Sequence, residues 1–246
     1  IKAGFNSMRQ YIHKLSNTVI MSPTDTWKLS DVNIKPQRGW QAAAGLYLNS
    51  PSGIWEYSVE GYYKRMSDYL DYRGGAKLLM NHHIETDVIN TQGHAYGVEL
   101  QVKKQVGKLN GWMSYTYSRT FLRQNDKRIE KPVNNGDWYP TEYDKPHDFK
   151  FVGNYKFTHR YSMSINVDYS TGRPTTIPAG QYYDESTQSM RVYYTERNSY
   201  RIPDYFRTDI SFNIEPSHHL TLLTHSSISI GVYNVTGRKN VYSCLL

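Results

Sequence analysis

Several places in the sequence carry residues that could do chemistry. His82-His83 and His218-His219 offer imidazoles to a metal, His147-Asp148 sets a base beside a carboxylate, and Gly93-His-Ala-Tyr-Gly97 spaces two glycines as a phosphate-binding turn would. Spacing argues against each. Neighbouring residues on a strand point to opposite faces, so an adjacent His pair chelates poorly and reads as solvated loop histidine. His147-Asp148 falls at a loop–strand junction, which suits a hydrogen-bond network at a rim better than general acid–base work. The glycine segment lacks the following helix that a nucleotide fingerprint needs. No Gly-x-Ser-x-Gly elbow, His-Glu-x-x-His or phosphate loop is present. The sequence therefore predicts no catalytic residue, no metal site and no cofactor. The densest cluster of polar and aromatic groups is Tyr194 to Tyr205, which holds Glu196, Arg197, Asn198, Tyr200, Arg201 and Asp204.

Composition limits what can position that cluster. Tyr occurs 23 times against 7 Phe and 5 Trp, and mean hydropathy is -0.69. A soluble domain of this length carries a denser Leu/Ile/Val core, whereas Tyr, apolar ring and polar tip, suits surfaces that meet both hydrocarbon and water. No run reaches the ~18–20 apolar residues of a transmembrane helix, but a β-barrel strand needs only ~9–11 residues with alternate ones apolar. The one cysteine, Cys244, excludes an internal disulfide and a Cys-based zinc site. The formal charge of +7 is scattered without a block or stripe, so nucleic acid is not an expected partner. Residue 1 is Ile and no signal peptide precedes it, so the sequence reads as starting inside a longer precursor.

Strict alternation is the strongest signal. Tyr161, Met163, Ile165, Val167 and Tyr169 interleave with Ser162, Ser164, Asn166, Asp168 and Ser170; Phe206, Thr208, Ile210, Phe212 and Ile214 interleave with Arg207, Asp209, Ser211, Asn213 and Glu215. The same pattern runs through Trp55, Tyr57, Val59 and Tyr63, and through Tyr96, Val98, Leu100 and Val102. It persists for about ten residues, with aromatics at the ends of runs, as a tilted membrane-crossing strand requires. Strands are predicted at 1–12, 37–48, 54–66, 92–104, 112–122, 146–157, 160–171, 205–215, 225–234 and 240–246. The links between them run long (13–36, 67–91, 123–145, 172–204) and short (49–53, 105–111, 158–159, around Pro216) in turn. Only the link near Gly237 breaks that parity. Short periplasmic turns opposite long outer loops are a barrel signature. Residues 74–90, with Ala76-Lys-Leu-Leu-Met80, are read as holding a short helix, and 172–204 as ordered by turns. The predicted fold is all-β: about ten strands of a larger transmembrane antiparallel barrel, 1–246 forming one partial domain.

Several ordered motifs then carry a resemblance. Tyr143-Asp-Lys-Pro-His-Asp148, Ser170-Thr-Gly-Arg-Pro174, Tyr194-Thr-Glu-Arg-Asn-Ser-Tyr-Arg-Ile-Pro-Asp-Tyr205, Trp138-Tyr-Pro140 and Tyr233-Asn-Val-Thr-Gly-Arg-Lys-Asn-Val-Tyr-Ser243 resemble elements of TonB-dependent receptors with a carboxypeptidase-regulatory-like extension. The resemblance implies a plugged barrel of about 22 strands in the outer membrane of a Gram-negative bacterium. It also implies import of a scarce, bulky solute, energised by the TonB complex. Implied partners are that complex, the plug and remaining barrel, outer-membrane lipid and, in related subfamilies, a surface lipoprotein lid. The sequence holds no plug or TonB-contacting segment, so the chain reads as one part of a receptor.

For Glu196, Arg197, Asn198, Tyr200 and Arg201 two roles stay open: contact with the solute from an outer loop, or bracing of that loop against its neighbours, which is favoured. Trp138 and Tyr139 are candidates for either. Alternation assigns Glu56, Ser58, Glu60, Glu99, Lys103, Asp168, Arg207 and Asp209 to the lumen. A surface β-sandwich binding module and a small self-contained barrel are the rival architectures. The first requires an apolar core and the second requires its first and last strands to pair.

Overall fold

The computed structural model describes residues 1–15, 26–32, 34–72, 88–124, 132–185, 188–215 and 227–241. Nine long strands form one antiparallel sheet: β1 (Lys2–Gln10), β4 (Gln37–Asn49), β5 (Trp55–Tyr72), β6 (Val88–Lys104), β7 (Leu109–Gln124), β9 (His147–Lys156), β10 (Tyr161–Ser170), β15 (Tyr205–Ile214) and β16 (Ile228–Val232). Each pairs with its neighbours in that order, and a two-residue strand, β8 (Tyr139–Pro140), adds to β7. The remaining strands lie in the long connections as three small hairpin-like pairs: β2 (Ile12–Leu15) with β3 (Thr26–Leu29), β11 (Pro174–Thr175) with β14 (Tyr200–Arg201), and β12 (Pro178–Asp184) with β13 (Ser189–Tyr194). Among the described residues, β1 and β16 stand at opposite ends of the sheet and do not pair with each other.

Register puts the alternating sets onto two continuous faces. Ile165 lies opposite Gly153 on one side and Ile210 on the other, and Ile210 lies opposite Val232. Leu46, Val59, Leu100 and Tyr115 line up across β4 to β7 in the same way. This apolar face is the exposed one: Leu48 is 65%, Val59 43% and Phe212 48% accessible. Only six apolar residues are buried among the described ones, three of them (Leu15, Ile34 and Tyr139) in the connections. A sandwich of this size would hide its Val, Leu and Ile inside. Here the arrangement is inverted, and the sandwich is excluded.

The polar face satisfies itself. Ser164 donates to Asn154 at 2.6 Å, Lys103 lies 3.5 Å from Glu56, and Asp209 accepts from Arg207 and from the Asn234 amide, each at 2.8 Å. Glu56, Ser58, Glu60, Glu99, Lys103, Asp168, Arg207 and Asp209 all fall on this face.

Three expectations need correction. Strands β5, β6 and β7 run to 18, 17 and 16 residues, further into the long connections than alternation indicated. The reason is a bulge: between Met66 and Tyr69 the register with β6 slips by one residue, with Asp68 at a φ of 56°. Alternation stops there in sequence although pairing continues. Second, 172–204 holds four short strands, because neighbouring loop segments satisfy one another's backbone groups. Third, Asn240 and Val241 are not strand; Asn240 instead caps the edge of β15, exchanging side-chain bonds with the Phe206 amide and carbonyl, both 3.0 Å. The helix near 76–80, His82-His83, His218-His219 and residues 242–246 with Cys244 lie outside the described residues.

Candidate functional site

The bulge in β5 creates the site. Upstream of it, odd-numbered residues such as Tyr57 and Val59 lie on the apolar face. Beyond it, Tyr69 pairs with Thr91 and Asp71 with Ile89, both on the polar side. One inserted residue thus turns Asp71 inward. There it receives the Arg197 guanidinium at 2.6 Å and the Tyr139 hydroxyl at 2.5 Å. Arg197 also donates to the Tyr72 carbonyl at 2.5 Å. Asn134 locks the Arg197 backbone from both sides, accepting from its amide at 2.7 Å and donating to its carbonyl at 3.1 Å. Asn198, at a φ of 55° that Asn tolerates, donates to the Pro140 carbonyl at 2.8 Å. Two long connections are tied to one strand end by side chains 63 to 126 residues apart.

A second hub lies beside it. The Asp144 side chain is fully buried. It accepts from the Thr120 amide at 2.8 Å and from Arg119 at 3.3 Å, and it pairs closely with Arg201. Arg201 also donates to the Asp144 and Gly172 carbonyls at 2.7 and 2.9 Å. Asp204 takes the Gly172 amide at 2.9 Å and the Tyr169 hydroxyl at 2.8 Å, and these two donors, the amide first, hold its carboxyl below the ordinary range. Burial, then the adjacent Asp71 charge, keeps the Tyr139 phenol well above its usual value, so it serves as a neutral donor.

Between the ends of β1, β4 and β5, the β2 hairpin and the β8 segment lies a cavity of about 310 Å³ on the polar side of the sheet. Asp71, Tyr139, Arg197 and Asn198 line it together with His13, Lys14, Gln10, Gln37 and Glu142. Desolvation among these groups, then Asp71, raises the Glu142 carboxyl, with Arg197 and Arg173 opposing. His13 is buried, which lowers its imidazole; Nε2 meets Ser30 Oγ at 2.8 Å while Nδ1 has no partner. The Thr141 hydroxyl is likewise buried and unpartnered. Such groups in a polar cavity are open to water or to a solute.

Of the residues singled out in the sequence, Tyr139, Arg197 and Asn198 meet at this cavity. Arg201 is committed to Asp144, while Glu196 and Tyr200 are exposed on the loop. Trp138 packs edge-on against His94 at 4.4 Å, on the side where His94 also meets Phe121 and Tyr96, away from the cavity. His147 and Asp148 diverge: His147 bonds the Tyr115 hydroxyl at 2.8 Å and Asp148 approaches Lys150 at 3.8 Å. Sequence reasoning missed Asp71, Asn134 and His13. Asp144 stood inside a quoted motif, yet nothing local marked it as the residue on which that motif closes.

A wall of long antiparallel strands, apolar outside, polar inside and crowned by interlocked loops, has the architecture of an outer-membrane β-barrel. The chain belongs to the TonB dependent receptor-like, beta-barrel family, which it matches over residues 5–235. Its barrel lies in the outer membrane of a Gram-negative bacterium. Three similar solved structures are the ferric-catecholate import receptor Fiu from E. coli (TM-score 0.56, 13% identity, 95% of this chain), the ferripyoverdine receptor of Pseudomonas aeruginosa (0.52, 12%, 83%) and the iron transporter FrpB from Neisseria meningitidis (0.52, 13%, 85%). At such identities the likeness is one of fold. The chain spans only 24–28% of the length of those chains. A search of curated proteins finds no significant match.

Proposed function

We propose that this chain is one wall of a TonB-energised import receptor that captures a scarce, bulky solute among its outer loops and passes it along the polar face. The observation that supports this reading most directly is the cavity on the polar side, closed by loops bound to one another through Asp71, Arg197 and Asn134. A passage for solute needs a polar lining and a fixed mouth, and the polar face and the bonded loops supply both.

Within that reading, Tyr139, Arg197 and Asn198 meet solute at the cavity while bracing its walls, and Glu196 and Tyr200 meet it at the exposed loop. Trp138, packed on His94, belongs to the outer rim. Arg201 acts through the loop it holds. The motifs Tyr143–Asp148 and Tyr194–Tyr205 support placement in the branch with a carboxypeptidase-regulatory-like extension. A plug, the TonB complex and a surface lipoprotein lid are its partners, and outer-membrane lipid contacts the apolar face. The chain is a transporter segment and not an enzyme, and 1–246 is one part of a single barrel domain.

The test uses cells expressing the full-length receptor or a deletion. Uptake of labelled ferric chelates, cobalamin, oligosaccharides and peptides is measured with and without TonB. One class is expected to depend on both the receptor and TonB. Uptake that persists without TonB, or no receptor-dependent class, would overturn the proposal.

A further inference from the structure

We propose that Arg9, Lys35 and Arg38 form a binding site for the phosphate of an anionic lipid headgroup, on the outward, apolar side of the sheet. Arg9 and Arg38 lie directly opposite each other across β1 and β4. Like charges so placed repel, and nothing in strand pairing requires them there. Arg38 is paired with Asp68 at 2.9 Å; Arg9 and Lys35 have no carboxylate partner among the described residues. With Tyr11 and Pro36 these residues line a cavity of about 240 Å³. Three cations against one carboxylate leave 3 − 1 = +2, the complement of a phosphate monoester dianion.

The arms of the site are held from both sides. Lys35 follows Ile34, which is completely buried against Leu15 and partly buried Leu70 and Val88. Asp68 stands at the bulge that turns Asp71 into the interior, so one backbone irregularity serves both faces.

Location decides the source of the phosphate. Arg38 shares its face with Trp40, two residues along β4, and Trp40 stacks between Phe5 at 6.1 Å and Tyr63 at 5.6 Å. An aromatic row on an apolar barrel face marks the headgroup level. The cations lie just beyond it on the loop side, opening sideways rather than toward the polar interior. A headgroup in the surrounding leaflet therefore reaches them. This inference rests on the membrane placement of the apolar face.

The experiment uses the full-length receptor in nanodiscs containing phosphatidylcholine and a minority of phosphatidic acid, with retained lipid counted by native mass spectrometry. Phosphatidic acid retention should fall at least about tenfold in Arg9→Gln/Arg38→Gln and severalfold in Lys35→Gln, a loop change that spares the strands. It should be unchanged in Arg160→Gln, at a short turn of the opposite rim. Millimolar inorganic phosphate should not displace the lipid. Equal retention in all variants, or displacement by inorganic phosphate, overturns the assignment. Heat-modifiable gel mobility separates the two levels. A folded barrel without selective retention defeats this inference alone, and a chain that never forms a detergent-resistant barrel defeats the membrane reading beneath it.

Discussion

Replacing Asp71 with Asn should loosen the outer loops without unfolding the sheet. In the native structure the Asp71 and Arg197 side chains are each 19% exposed and 2.6 Å apart, and Asp71 also anchors Tyr139. Removing one partner of a buried ion pair costs about 3–5 kcal/mol, because the survivor stays desolvated. The cavity gives the freed Arg197 some water, which lowers the cost to about 2–3 kcal/mol. The damage is local, since the strands are held by their own ladders. Amide hydrogen exchange reads it directly: protection of the Thr141, Arg197 and Asn198 amides, bonded to Thr120, Asn134 and Thr176, should fall about 30- to 150-fold. Amides of β9 and β10 should hardly change. Adding Arg197→Gln should cost less than the sum of the two single changes, by about 1–2 kcal/mol. Loop protection within threefold of native, or equal loss in β9 and β10, would refute the reasoning.

Three further outcomes follow from the same geometry. Deleting Asp68 removes the one inserted residue while leaving Tyr69 opposite Thr91 and Asp71 opposite Ile89, so a Cys at position 69, labelled by an aqueous maleimide in the native chain (with Cys244 replaced by Ser), should stay reactive in the deletion; loss of labelling would contradict the single-residue bulge. Gly172→Ala places a methyl against the Ile202 carbonyl while the Gly172 amide is held by Asp204, so the loop must shift by about 1–3 kcal/mol; unchanged exchange at the Ile202 amide would show that the contact yields freely. Glu142 has its carboxyl raised above the ordinary 4.5, so its ionised form is disfavoured in the folded loops. The penalty is present above its folded value and disappears as pH falls through it. Loop protection should therefore rise as pH falls through that raised value toward the ordinary carboxylate range, once corrected for intrinsic exchange, and Glu142→Gln should remove that rise. A Gln variant with the full rise would assign it elsewhere.

Much of the sheet was legible in the residues. The alternation through Tyr161–Ser170 and Phe206–Ile214 fixed which side chains share a face, and the register agrees residue for residue. Period two is a local property, so it survives in a single sequence. The bulge at Asp68 was not legible, because one inserted residue looks the same as the end of a strand. Its cost was the correct facing of Tyr69 and Asp71. The clasp was half legible. Arg197, Asn198 and Arg201 stood out as a cluster, and bracing was the favoured role. Their partners Asp71, Asn134 and Asp144 lie 126, 63 and 57 residues away, and no pattern in one sequence links positions so distant. Trp138 and Tyr139 stood as equal candidates, yet adjacent residues at a strand end part to opposite faces, Tyr139 to Asp71 and Trp138 to His94.

The decisive measurement is a paired cysteine scan in intact cells, on the full-length receptor with Cys244 replaced. Glu60→Cys, Asp168→Cys and Asp209→Cys should react with a small aqueous maleimide. Ile165→Cys, Val167→Cys, Ile210→Cys and Phe212→Cys should resist it, and a bimane attached to them in vitro should be quenched by nitroxide-labelled lipid. The reverse pattern, with the aliphatic positions dry but unquenched and the carboxylate positions facing bulk water on an outer surface, would contradict a barrel wall.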